Sequence, residues 1–160
     1  MQELMIFTDG SVDNKSKVGY GAYLIFSKLD FSFKSLKSKK PKVKRFEHTS
    51  SSKLELQSLL WALSENNLSE SKIFIFTDSQ NIISLPARRK HLEENNYSSK
   101  NNKLISNSEL YQEFYKKTDK LDCEFVKVNG HKKSFQKDDI DWLFTLVDKA
   151  SRKALRKEKE

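Results

Sequence analysis

The sequence predicts an α/β fold: a five-stranded mixed sheet, three antiparallel strands and then two parallel additions, with helices on both faces. Three observations carry this. The apolar runs fall in the order three strands, helix, strand, helices, strand, helix. The first three strands have no helix between them, which favours an antiparallel meander, whereas strands separated by helices add in parallel. The chain has 160 residues, enough for one domain with a substantial core, and residues 1–160 are read as that single domain.

Leu4-Met5-Ile6-Phe7 forms the first strand, apolar on both faces. It runs into Thr8-Asp9-Gly10-Ser11, where the backbone is expected to turn. Asp9 is then either a rigidly held carboxylate that meets water or plain Asp-Gly turn chemistry, with Gly10 at positive φ. A polar turn over 11–17 leads to a second strand, Val18 to Phe26, whose small residues at one end admit a close neighbour. Residues 27–41, rich in Ser and Lys and closed by Pro41, predict a basic hairpin tip that returns as a third strand from Lys42 to about Thr49. The lysines at 34, 37, 39, 40, 42 and 44 either track a phosphate backbone or form a solvated loop.

Leu56, Leu59, Leu60 and Leu63 make one apolar stripe of a helix. Ser52 and Glu55 fit a Ser-x-x-Glu capping box at its start, which gives Glu55 a purely structural reading. Lys72 to Asp78 repeats the opening pattern of an apolar strand closed by Thr-Asp, and Asp78 or Ser79 caps the helix after it. Pro86 is expected to interrupt that helix, with a short basic one beginning at Ala87-Arg88-Arg89-Lys90. Residues 94–106 read as a loop, and residues 86–106 together as a basic handle-like region. Asn107 or Ser108 caps a helix to about Lys120. A fifth strand spans about Asp122 to Val128, before Asn129-Gly130-His131. The last helix starts near Asp139, buries Leu143, Leu146, Val147, Ala150 and Ala154, and frays in the charged tail 156–160.

The charge balance narrows the partners. Lys and Arg number 30 against 22 Asp and Glu, a net charge of +8, which favours polyanions, nucleic acid before anionic membrane. A solvated basic surface would produce the same number. The single cysteine, Cys123, lies in an apolar run and reads as a core residue. Cys and His are too few for a structural zinc site. No stretch approaches the ~20 apolar residues that span a bilayer, and the start lacks a signal-peptide layout. A cytoplasmic monomer without membrane association or a small organic cofactor is expected.

If the first and fourth strands are parallel neighbours, Asp9 and Asp78 leave the sheet at one edge. Glu55 and Asp148 each border the buried stripe of a helix, so four carboxylates from four elements can converge. Clustered acids repel one another unless a cation sits among them, and hard divalent ions choose oxygen ligands.

These residues resemble type 1 ribonuclease H. Ile6-Phe7-Thr8-Asp9-Gly10-Ser11 with Gly19-Tyr20-Gly21 looks like that family's first hairpin, and Lys53-Leu54-Glu55-Leu56 with Trp61-Ala62-Leu63 like its Glu-bearing helix. Phe76-Thr77-Asp78-Ser79-Gln80 resembles its second Asp motif, Val128-Asn129-Gly130-His131 its His loop, and Val147-Asp148-Lys149-Ala150-Ser151-Arg152 its closing Asp helix. The likeness runs in order from about residue 4 to 155. It implies that Asp9, Glu55, Asp78 and Asp148 hold two Mg²⁺ ions, with Mn²⁺ a possible substitute. Those ions would cut the RNA strand of an RNA–DNA hybrid and leave a 5′-phosphate. His131 would move protons or assist product release. The likeness also implies that Ser79, Gln80 and Asn107 touch the nucleic acid.

The chain departs from the family pattern in three places. Ser51 and Ser52 stand where many relatives carry Asn, and a serine can still bond a sugar at shorter reach. His131 and Asp148 are further apart than usual, which makes Asp141 a rival fourth acid; the residues around Asp148 fit the pattern, and Asp141 suits an early helix turn. The handle-like region keeps Arg88, Arg89 and Lys90 for hybrid grip but has no Trp. Two other readings stand beside the nuclease: another phosphodiesterase of the same fold, of the transposase or integrase kind, and a non-catalytic hybrid-binding module. A binder has no need of four self-repelling acids.

Overall fold

The computed structural model of the chain describes residues 1–30, 38–129 and 138–160. The middle of the expected hairpin tip and His131 lie outside those residues. The strands are β1 (Gln2–Asp13), β2 (Val18–Ser27), β3 (Lys42–Phe46), β4 (Ser71–Thr77) and β5 (Asp122–Lys127). They form one sheet in the order β3-β2-β1-β4-β5, antiparallel across β1–β2 and β2–β3, parallel across β1–β4 and β4–β5. The expected mixed sheet is therefore the observed one. The α-helices among the described residues are α1 (Ser51–Glu65), α2 (Gln80–Glu94), α3 (Ser108–Thr118) and α4 (Asp139–Glu158).

Alternation along β1 and β4 divides the core in two. Leu4, Ile6, Ile73 and Ile75 pack with Leu56 and Leu59 of α1, Leu85 of α2 and Phe114 of α3. Met5, Phe7 and Phe76 face the other way, against Leu143, Phe144 and Val147 of α4. Three helices thus cover one face and α4 covers the other, which is why the central strands are apolar on both sides.

The structure corrects several expectations. The backbone does not turn at Asp9-Gly10: β1 continues to Asp13, pairing Asp9 with Ala22 and Gly10 with Gly21. No described glycine has positive φ. The small residues serve close approach instead. A Cβ at Gly10 would lie 2.8 Å from Leu54 Cδ2, and one at Gly21 would lie 2.2 Å from Ser58 Oγ, so α1 rests almost directly on the β1–β2 backbone. The strand β3 stops at Phe46, short of Thr49.

The cap of α1 is Ser50, which accepts from the Lys53 N–H, so the Ser52–Glu55 capping box does not form and Glu55 is released for another partner. Pro86 does not break α2. Ile82, Leu85 and Leu92 are buried along that helix, and this packing outweighs the lost hydrogen bond. In α4 the buried stripe includes Phe144, while Leu146 is exposed. The tail does not fray at 156: Glu158 accepts from Tyr20 Oη and from Arg45 Nη2 at 2.8 Å, tying the helix end to β2 and β3.

A candidate active site where the sheet divides

Pairing between β1 and β4 ends at Phe7↔Phe76. Two residues further on, Asp9 and Asp78 stand at one level. There β4 has finished, while β1 carries on with β2 alone. The parting opens the sheet, so side chains from its two faces can meet. Asp9 shares the face of Met5 and Phe7, toward α4, which brings Asp148. Glu55 arrives from α1 on the opposite face. The four carboxylates line one cavity of ≈ 340 Å³, with Ser51, Asn14 and Arg152 at its wall.

Each acid is positioned by local structure. Ser79 is buried and caps α2, its hydroxyl accepting from the Ile82 N–H at 3.1 Å while donating to Glu55 Oε2 at 2.6 Å. Its own N–H donates to Thr77 Oγ1 at 3.1 Å, which fixes the turn carrying Asp78. On α4, Arg152 Nε donates to Asp148 Oδ1 at 3.0 Å across one helical turn. One turn along, Ser151 Oγ lies 3.0 Å from Ser11 Oγ, locking α4 to β1 just beyond Asp9.

The electrostatics reflect crowding. Burial, then the charge of Asp78 and the hydrogen-bonded Asp148 carboxyl, push Asp9 up to about 8, against the opposing pull of the Gly10 N–H. Glu55 is also raised, first by burial and also by Asp78, with the Ser79 hydrogen bond acting in the other direction. A cluster that resists ionisation is one that a cation would relieve. The donors are all carboxylate oxygens, which fits a hard divalent ion rather than a soft one. Among the described residues, no three His, Cys, Asp or Glu side chains already stand in a metal-ligating arrangement.

The other expected site residues are placed unevenly. Ser51 lines the cavity; Ser52 is exposed, with Asn107 Nδ2 donating to its Oγ at 3.4 Å. Asn107 itself caps α3 in the left-handed region, at φ 65°. Gln80 is exposed and accepts from Lys127 Nζ at 2.6 Å. Arg88 donates to Asn81 Oδ1 at 2.9 Å and lies over the Tyr111 ring. Arg89 binds Glu93 and Asp119 and covers Tyr115, fastening α2 to α3. Lys90 is exposed, 3.9 Å from Glu94. Asp141 lies apart from the acid-lined wall: it is buried in the capping box of α4, its Oδ2 accepting from the Asp138 N–H at 3.1 Å. Arg152 and Asn14 were not expected at the cavity. The spacing of Arg152, four residues after Asp148 on a helix, is a signal for it; Asn14 has none.

No helix among the described residues is long and apolar enough to cross a membrane. A comparison with curated proteins finds no match. The RNase H family model matches residues 1–149, a stretch that contains all five strands and all four acids of the cavity. The chain belongs to the RNase H family, whose members are endonucleases that bind RNA–DNA hybrids.

Proposed function

We propose that this ribonuclease H hydrolyses the RNA strand of RNA–DNA hybrids at the cavity of Asp9, Glu55, Asp78 and Asp148, with two Mg²⁺ ions held by those carboxylates, and leaves a 5′-phosphate. The observation that carries the reading is the meeting of four acids from four separate elements in one cavity of a basic protein. When bound, a pair of divalent ions supplies an activated water and charge stabilisation for the leaving oxygen.

The chain's own residues do the rest. Asp9, central and buried, has Asp78 and Asp148 beside it and would hold a divalent ion together with them. Asp78 and Glu55 approach from the β4 side, with Ser79 holding the Glu55 carboxylate in one orientation. Asp148, steered by Arg152, closes the α4 side. Ser51, Ser52, Gln80 and Asn107 offer hydroxyl and amide groups for sugars and base edges on the α1–α2–α3 side, where recognition by shape and 2′-hydroxyls is expected. His131 is assigned a part in proton movement or product release; it follows β5, whose continuation donates Val128 N–H to the Thr77 carbonyl beside Asp78.

The test is a cleavage assay on hybrid, single- and double-stranded RNA, and single- and double-stranded DNA, each with Mg²⁺, Mn²⁺ or chelator. Cutting of the RNA strand in hybrid alone, only with metal and with a 5′-phosphate on the product, is expected. Metal-independent cutting, or cutting of duplex DNA in preference to hybrid, would overturn the reading.

A further inference from the structure

The expected grip residues of α2 have neighbours within the chain: Arg89 pairs with Glu93 and Asp119, Arg88 donates to Asn81, and the exposed Lys90 lies 3.9 Å from Glu94. In α3 the same holds for Lys117 and Glu113. The helix α4 is different. From Lys149 to Lys157 it carries five basic residues and no acid, and all five basic residues are exposed. Among the described residues, only Arg152 of the five has an ion pair, with Asp148.

This arrangement works against the helix. Lys149 and Lys153, Arg152 and Arg156, and Lys153 and Lys157 are like charges at i, i+4, each such pair costing a few tenths of a kcal/mol. The helix dipole favours Arg156 and Lys157 in the last turn, but not the mid-helix Lys149, Arg152 and Lys153. The opposite side of the same turns is buried and locked to the sheet through Ser151, and the end is held by Glu158. The basic face is therefore fixed in direction, and it begins at the cavity wall with Arg152.

We infer that the outer face of α4, through Lys153, Arg156 and Lys157, binds the phosphate backbone of a hybrid strand as it leaves the acid-lined cavity. From Asp148 to Lys157 the helix rises about 13 Å, at 1.5 Å per residue. That matches roughly four nucleotides of a strand at 3.4 Å each. The inference rests on the proposed cleavage site, because the cavity defines where the strand starts.

The test uses the full chain carrying Lys153→Gln, Arg156→Gln and Lys157→Gln, all exposed positions. Hybrid binding is measured in chelator, where the reading above predicts no cutting, across a salt series. Each phosphate contact contributes about 0.7–0.9 to the slope of log affinity against log salt, so the slope should flatten by about 2–3. At low salt, binding should weaken by about tenfold or more, and the loss should appear in KM when metal is restored. On hybrids trimmed to end at the cleavage site on the α4 side, wild type and variant should converge. A variant with the wild-type salt slope and KM on long hybrid overturns the inference. So does a variant that keeps hybrid binding but loses binding to vesicles of phosphatidylserine and phosphatidylcholine, which would assign the face to a membrane surface. If the wild-type chain neither binds nor cuts hybrid, it is the proposed cleavage site that fails.

Discussion

Asp9→Asn isolates the cost of crowding the acids. In the folded chain the Asp9 carboxyl titrates at about 8, against an ordinary value of 3.8, because it is buried beside Asp78 and Asp148. Between those values the native state retains a proton that the unfolded chain has released, so stability falls as pH rises through the interval and the contribution is lost above about 8. From 3.8 to neutrality is roughly three pH units at about 1.4 kcal/mol each, a ceiling of about 4 kcal/mol. Water reaching the open cavity and rearrangement of the Asp148 partner reduce this, and a gain of about 2 kcal/mol is expected for the amide at neutral pH. For a domain of this size that raises Tm by about 4–8 °C. Scanning calorimetry in chelator should show a small difference between variant and wild type at pH 4, widening toward pH 8. Millimolar Mg²⁺ should narrow it, since the ion stabilises the fully ionised wild-type cluster and finds one ligand fewer in the variant. Cleavage should be abolished. A difference in Tm that does not change with pH, or a variant that melts below wild type at neutral pH, would refute the reasoning and make Asp9 a structural residue.

Three further outcomes are expected. Asp148→Asn should reduce cleavage far more than Asp141→Asn, whereas Asp141→Asn should be the less stable of the two by about 1 kcal/mol through its capping box; kcat and Tm measured together decide this. Ser79→Ala removes both the α2 cap and the Glu55 donor, so it should lose about 1 kcal/mol in denaturant unfolding and bind Mn²⁺ more weakly in calorimetry, while Ser79→Thr restores both. Gly21→Ala places a Cβ 2.2 Å from Ser58 Oγ and 2.9 Å from Ser58 Cβ, forcing α1 off the sheet; a loss of about 1–3 kcal/mol is expected, with reduced cleavage because the same helix carries Glu55.

The sequence by itself determined the mixed sheet and singled out the four acids that the structure brings to one cavity, though not Arg152 or Asn14 beside them. Apolar runs of strand length, interrupted or not by helical stripes, are local signals, and they yielded the succession of strands and helices and the acids at the elements' edges; that β1 lies beside β4 was a condition of the reading, which the sheet meets. The resemblance preferred Asp148 to Asp141, and the structure keeps the two apart, one at the cavity and one in a cap. Tertiary structure decided whatever depended on a partner distant in the chain. Ser52 and Glu55 satisfy a capping pattern, yet Ser50 takes the cap and Ser79, in another element, takes Glu55. Asp9-Gly10 has turn chemistry, yet the strand runs on because β2 pairs with it and α1 needs the missing Cβ. Arg88 and Arg89 read as grip for a hybrid, and the structure gives them partners within the chain, Asn81, Asp119 and two tyrosine rings. Periodicity reports which side of an element is buried; it carries no information about which side chain stands opposite, and that pairing fixes a cap, a charge or a ligand.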